Sequence, residues 1–397
     1  MRLLATVTFN PNQLRAHLMP LLAVPEVERI VLVADTVDEE LAREPKLEIR
    51  VPTPSQLRVL GRAGSKTLLC RRAAREIRPD WVISWNIMPH GVNAHLAARS
   101  VRARSMYHMI GGWEEWEGGG WASDNALLSR LPRPVAALEA ALLKVIRSST
   151  LVGTMGTRGK ARLVAEGIPA DRVVVTPASI DMNRFSPADT GAEVPYDLLT
   201  VGSLIARKQQ EDFIAAVAIL RGTRPNLRAA VAGEGPLRET LVAQAERLGV
   251  ADAIDFLGQR TDVASVYRSA RIFVLPSRFE GLSIAMMEAM ACGLPAVVTG
   301  VGDLDDLVRT GRNGAVVPLG DVPALVAAIA PLLDDPGHYR VLSHTAREDV
   351  TRYAGLEHMT ARYRRMLLAL PGEWNPPDVQ RASGQVGEAP TTVGAIK

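Results

Sequence analysis

Apolar and polar positions along this chain follow two alternating rhythms. Short apolar runs at residues 3–9, 30–34, 81–84, 104–108 and 173–176 read as buried strands. Between them, residues 65–77, 91–100 and 158–166 space their apolar side chains three and four apart, which predicts amphipathic helices. The pattern restarts after the proline-containing stretch 186–195. New strands are predicted at 197–201, 227–232, 254–257, 272–275 and 296–299, and new helices at 208–222, 236–248, 281–291 and 322–333. Strands separated by helices of this length make right-handed βαβ units, so each half is an α/β, doubly wound, Rossmann-like domain. The division predicted is an N-terminal domain over 1–187, a C-terminal domain over 196–352, a helix over 355–370 packing back on the first domain, and a disordered tail over 371–397. In such sheets ligands bind at the carboxyl ends of the strands, here where the two halves face across a cleft.

Composition narrows the class. The 397 residues are 47% hydrophobic and 22% charged, as in a globular protein. No apolar run approaches the roughly 20 residues of a membrane-spanning helix. Cys70 and Cys292 match no metal spacing and suit reduced thiols in a cytoplasmic protein. The net charge of +3 is split: residues 1–187 carry 25 Lys and Arg against 18 Asp and Glu (+7), and the remainder 21 against 25 (−4). The basic half is either a solvated face or a peripheral contact with an anionic membrane surface. With 5% aromatic residues and no basic-aromatic interleaving, nucleic acid is not an expected partner.

The densest chemistry lies in residues 279–295, FEGLSIAMMEAMACGLP, directly after a predicted strand. A helix opening at Gly281 would turn the N–H groups of Gly281, Leu282 and Ser283 toward phosphate or sugar hydroxyls. Glu280 precedes the turn. Glu288 stands about 10 Å further along the helix among Ala and Met, where a carboxylate needs a partner; a ribose diol would supply two donors. Upstream, a strand runs into Gly202, and the adjacent cations Arg207 and Lys208 precede a helix. Cations there oppose the helix dipole and call for an anion such as a diphosphate. Gly233 sits in an Ala-Gly-Glu-Gly-Pro-Leu turn, and Gly258, Gln259 and Arg260 follow the next strand. Both loops are also readable as plain turn chemistry. His108 ends a first-domain strand before Ile110-Gly111-Gly112, a placement that raises it above a merely structural histidine. His90 and His95 have no metal-ligand spacing.

Taken together, Glu-x7-Glu, the Gly-Arg-Lys element and the Gly-x-Gly-Pro-Leu turn resemble glycosyltransferase family four, the glycosyl transferases group 1, which is retaining and has the two-Rossmann GT-B fold. The resemblance covers roughly residues 1–370 and includes residues 155–166 and 180–185. It implies transfer of a sugar from a nucleotide-diphosphate sugar to a glycan, polysaccharide-precursor or lipid-linked acceptor, with no cofactor and no metal ion. His108, Arg207, Lys208 and Glu280 would act at the reacting centre. Glu288 would hold the ribose, and the loop at 258–260 the base. Two departures stand out. The family's glycine pair after the first strand is replaced by Asn10-Pro11-Asn12-Gln13. Its Gly-Gly before Pro-Glu is replaced by Val301-Gly302-Asp303-Leu304-Asp305-Asp306, which reads as acidic residues at a helix N-terminus rather than a metal site.

The acceptor side is expected on residues 111–125, where Trp113, Trp116 and Trp121 would stack on sugar rings and Glu114, Glu115 and Glu117 accept hydroxyls, or else where the Trp side chains dock on the domain. The stretch 125–147 is either core packing or a membrane-resting surface. Location is expected in the cytoplasm, with peripheral membrane contact as an option. Rival readings are a GT-B sugar-nucleotide epimerase, a glycogen-type enzyme, a non-catalytic donor binder and a nicotinamide-dependent oxidoreductase. The last lacks a Gly-x-Gly-x-x-Gly after its first strand.

Overall fold

The computed structural model describes residues 1–112, 115–117, 135–189, 191 and 193–369. The first domain holds β1 (Arg2–Thr6), β2 (Arg29–Val33), β3 (Leu47–Arg50), β4 (Trp81–Trp85), β5 (Arg104–Met109), β6 (Leu151–Thr154) and β7 (Val173–Val175). They pair in parallel in the order β3-β2-β1-β4-β5-β6-β7. The second domain holds β8 (Tyr196–Val201), β9 (Ala229–Ala232), β10 (Ile254–Gly258), β11 (Ala270–Leu275), β12 (Ala296–Thr299) and β13 (Gly314–Val317), parallel in the order β10-β9-β8-β11-β12-β13. The strand order reverses between β1 and β4 in one sheet and between β8 and β11 in the other, leaving a crevice at each switch point.

Helices cover both faces. The first domain has α1 (Pro11–Leu22), α2 (Pro54–Ile77), α3 (Val92–Val101), α4 (Ala136–Ser148) and α5 (Thr157–Ala165). The second has α6 (Gln210–Arg221), α7 (Arg238–Arg247), α8 (Val263–Arg268), α9 (Ile284–Ala291), α10 (Val322–Asp334) and α11 (Pro336–Ala354), and α12 (Leu356–Leu368) follows. Successive strand side chains point to opposite faces, so Leu3 and Ala5 pack with α1 and α12 while Leu4 packs with α2 and α3. Central strands bury both faces; all five residues of β4 are buried.

The pattern of apolar positions passes over several elements. Strand β3, Leu-Glu-Ile-Arg, is a half-exposed edge strand carrying two charges, and β6 and β13 span four residues each and contain Gly. Helix α1 begins inside the stretch taken for the first loop. Asn10 and Gln13 form a capping box with Pro11 between them, so β1 stops at Thr6 rather than at residue 9. Helix α2 starts eleven residues before the predicted 65 but breaks at Gly61, which takes a φ of +64°.

The chain crosses between domains twice, and the crossings touch. The Ile180 N–H donates to the Ala354 carbonyl at 2.8 Å, and the Leu356 N–H donates to the Ile180 carbonyl at 3.1 Å. After its crossing the chain returns to the first domain, where α12 buries Met359, Tyr363, Met366 and Leu367. The Trp81 indole N–H donates to the Leu367 carbonyl at 3.2 Å, and Arg364 pairs with Glu26. The expected tail over 371–397 lies outside the described residues. No helix among the described residues is long and apolar enough to cross a membrane. Because α12 completes a core formed mostly by residues 3–110, Leu367→Ala is expected to lower the unfolding free energy by about 2–4 kcal/mol in urea titrations followed by circular dichroism. A loss under about 0.5 kcal/mol would mean that α12 merely rests on the domain.

Candidate functional site at the second switch point

Strand β8 leads through Gly202 to a short 3-10 turn, Ala206–Lys208, and Gln209 then takes a left-handed φ of +48° before α6 begins. The turn leaves the Lys208 side chain facing the crevice. Strand β11 leads to Ser277 and Glu280 on the other side. The Lys208 ammonium donates to Glu280 Oε1 at 2.6 Å, and the Ser277 hydroxyl donates to the same oxygen at 2.7 Å. The Lys208 and Glu280 side chains are 13% and 9% exposed, so the pair is largely screened from water yet open at the crevice. Arg207 lies in the same turn, with its carbonyl accepting from the Arg278 N–H at 2.8 Å.

The neighbouring loops extend the edge. The Gly202 N–H donates to the Ala232 carbonyl at 2.9 Å and the Gly233 N–H to the Gly258 carbonyl at 2.8 Å, so the ends of β8, β9 and β10 are laced together past the strands. Gly258 turns the chain with φ +67°. Gln259 and Arg260 are exposed, and Arg260 is held by Asp262 at 3.0 Å.

Helix α9 opens at Ile284, three residues after the predicted start. Ser283 is its N-cap, and its hydroxyl accepts the Met286 N–H at 3.3 Å. Gly281 and Leu282 therefore belong to the preceding loop, and Glu288 sits in the second turn. Glu288 is buried, and burial pushes its carboxyl up to about 7 against the opposing pull of the Tyr267 hydroxyl, which donates at 2.8 Å, and of Arg184. Gly281 faces the other domain: a Cβ there would stand 2.7 Å from the Ile110 carbonyl oxygen. A small cavity at this meeting point is lined by Ile110, Thr154, Met155, Glu280, Gly281 and Asp303.

His108 departs from its expected place. Strand β5 runs one residue further, to Met109, and the two-residue alternation turns His108 inward with Met106. Its ring stacks on Trp85 at 5.4 Å between centroids, lies 3.1 Å from the Thr176 hydroxyl, and is held neutral by burial, which lowers it to about 3. The first domain instead presents Ile110 and Gly112 to the cleft.

Of the two readings of the loop at 111–125, its described part follows the second, docking on the domain. Trp116 is fully buried in the core beside α4. Glu115 is an internal anchor: its carboxylate accepts from the N–H groups of Ile87, Ile110 and Gly111 and from the Tyr107 hydroxyl at 2.6–3.0 Å, while burial raises it to about 7. Glu117 is exposed 3.7 Å from Arg162. Trp113, Glu114 and Trp121 lie outside the described residues, as does the start of the stretch at 125–147. In its described part, Leu142, Leu143 and Ile146 of α4 pack inward. His90 is buried between the Thr6 and Thr8 hydroxyls at 2.9 and 3.0 Å, beside the Lys66–Asp35 pair at 2.6 Å. This second polar cluster sits at the β1/β4 switch point, and its one signal in the sequence is Lys66 within an apolar helix face.

Removing one partner of a nearly buried ion pair strands the other charge. Lys208→Met is accordingly expected to lower unfolding free energy by about 3 kcal/mol, and adding Glu280→Met to recover most of that loss. Additive losses in urea titrations of the single and double variants would show that the two charges are independent.

Residues 183–349 match the family described as glycosyl transferases group 1. The chain is 30% identical over 279 residues to the glycogen synthase of Mycobacterium tuberculosis, covering 68% of this chain and 65% of that protein. It is 31% identical over 222 residues to the D-inositol 3-phosphate glycosyltransferase of Thermobispora bispora, covering 51% and 52%. The chain thus spans between half and two thirds of the length of these curated relatives. Among solved structures, Anabaena HepE in complex with UDP and glucose superposes with a TM-score of 0.75 at 18% identity, covering 93% of this chain and all of that one. The family is thus matched over residues 183–349, across the Lys208–Glu280 crevice, and the two-domain GT-B fold is shared over nearly the whole chain.

Proposed function

We propose that the protein transfers a sugar, with retention, from a nucleotide-diphosphate sugar to a glycan, polysaccharide-precursor or lipid-linked acceptor, without a metal ion. The observation that carries this reading is the Lys208–Glu280 pair bridging the β8/β11 crevice. A cation held there by a carboxylate is preorganised to receive a diphosphate, and Arg207 adds a second positive charge in the same turn. The family match and the UDP-glucose complex of HepE support a nucleotide-sugar donor.

In the proposed reaction the bond between the anomeric carbon and the diphosphate oxygen breaks, and the acceptor hydroxyl oxygen bonds to that carbon on the same face. The hydroxyl proton passes to the departing phosphate oxygen. Lys208 and Arg207 stabilise the charge on that diphosphate. Glu280, released from Lys208 as the phosphate takes its place, orients the donor sugar. Glu288 accepts the ribose hydroxyls, and the backbone at Gly258, Gln259 and Arg260 lies alongside the base. His108 supports β5 from within the core. The acceptor enters past Ile110 and Gly112. A cytoplasmic location with peripheral contact at a membrane would suit a lipid-linked acceptor.

A thermal-shift panel of nucleotide diphosphates, sugar-nucleotides and NAD(P), with and without EDTA, tests the donor class. A shift with one or a few nucleotides that EDTA leaves unchanged is expected; a shift with NAD(P) alone would overturn the reading. With the nucleotide so identified, Lys208→Ala should abolish most transfer, and a variant nearly as active as wild type contradicts the assignment. Burial pushes the Glu288 carboxyl up to about 7, and its ionised form is the better acceptor for two hydroxyls. Nucleotide affinity should therefore weaken as pH falls from 8 to 5.5, by up to about thirtyfold. Calorimetric titration of Glu288→Gln should show that part of the pH dependence gone. An unaltered dependence would remove Glu288 from the ribose.

A further inference from the structure

The acidic segment at 303–306 does not cap a helix of its own. It forms a 3-10 turn, Leu304–Asp306, and its carboxylates reach across the cleft to the first domain. Helix α5 has Gly156 as its N-cap, with no side-chain oxygen to satisfy the first N–H groups. Those groups are met from the other domain. Asp306 accepts from both the N–H and the hydroxyl of Thr157 at 2.5 Å, and Asp303 Oδ1 accepts from the N–H of Arg158 at 2.7 Å and of Gly159 at 3.3 Å. Arg158 closes the ring, donating to the Gly302 carbonyl at 2.8 Å and pairing with Asp305. The approach is close enough that a Cβ on Gly156 would lie 2.3 Å from the Cβ of Asp303.

The same loop holds the donor-domain turn. The Asp303 N–H donates to the Gly281 carbonyl at 2.8 Å, and Gly281 packs on the Ile110 carbonyl. One residue therefore bonds Gly281 through its backbone and the opposite domain through its side chain. We propose that Asp303 and Asp306 are positioning residues: by capping α5 across the cleft they set the register in which the Glu280–Gly281 turn meets Ile110. This rests on the transferase reading above. The nucleotide groups assigned there all belong to the second domain, so the clasp acts on the alignment of donor with acceptor and not on nucleotide affinity. Misplacement of reacting groups by an ångström is enough to slow a reaction severely.

The test uses the full-length chain carrying Asp303→Ala and Asp306→Ala together. Small-angle X-ray scattering without ligand should show a larger radius of gyration than wild type. With the donor that the thermal-shift panel selects, kcat should fall about tenfold or more, while calorimetric Kd for the corresponding nucleotide stays within about twofold. Asp303→Asn with Asp306→Asn should restore both compactness and kcat, because an amide oxygen still accepts a backbone N–H. Unchanged compactness, unchanged kcat, or nucleotide affinity falling in step with kcat would each overturn the proposal. Should the alanine pair fail to fold, Thr157→Val with Arg158→Ala weakens the clasp from the first domain's side and must show the same split. A wild-type chain that turns over no donor defeats the transferase reading instead, and scattering alone then decides the clasp.

Discussion

The carboxyl ends of the two sheets face each other, and the polar groups gathered there are satisfied either within a domain or across the cleft. This constraint organises everything near the cleft. Parallel strands bring all their carboxyl ends to one edge, and the switch points at β1/β4 and β8/β11 open that edge into crevices. At the second crevice a lysine and a glutamate hold each other in place, and at the first a lysine, an aspartate, two threonines and a histidine form a closed network. Where the domains meet directly, carboxylates of one satisfy the helix N-terminus of the other. The polar groups are thus arranged so that a ligand exchanges partners with the protein rather than entering an empty, unsatisfied site.

Two buried carboxylates show how far environment separates residues of one kind. Glu115 receives four hydrogen bonds within the first domain and serves as a fastener for the Ile110–Gly111 corner. Glu288 receives one from Tyr267. Burial raises both to about 7, yet only Glu288 has acceptor capacity left for a ligand.

Much of the fold was legible because strands buried on both faces leave nearly continuous apolar runs, as β4 and β11 do apart from Ser84 and Arg271, and because amphipathic helices separate them. Short strands at the sheet margins, such as β3 with its Glu48 and Arg50, carry too few apolar residues to register. At the site, Lys208 and Glu280 were legible as a pair of motifs, but their contact was not, since 72 positions separate them. The direction of His108 turned on a single residue of strand length, which apolar patterning cannot resolve. The segment at 303–306 was legible as a cap, but the helix that it caps begins 149 positions earlier, and no local pattern specifies that partner.

The paired crossings at Ile180 and Ala354–Leu356 bear on how this cleft works. A single linker leaves two bodies free to twist and tilt in every direction. Two strands bonded side by side restrict them to swinging about one line, as a page swings about its spine. Any closing about that line would remove little orientational freedom, because the paired segments already restrict it. On the transferase reading proposed above, a donor on one leaf would meet an acceptor on the other along a single arc, so the search for alignment would be reduced to one angle before any substrate arrives.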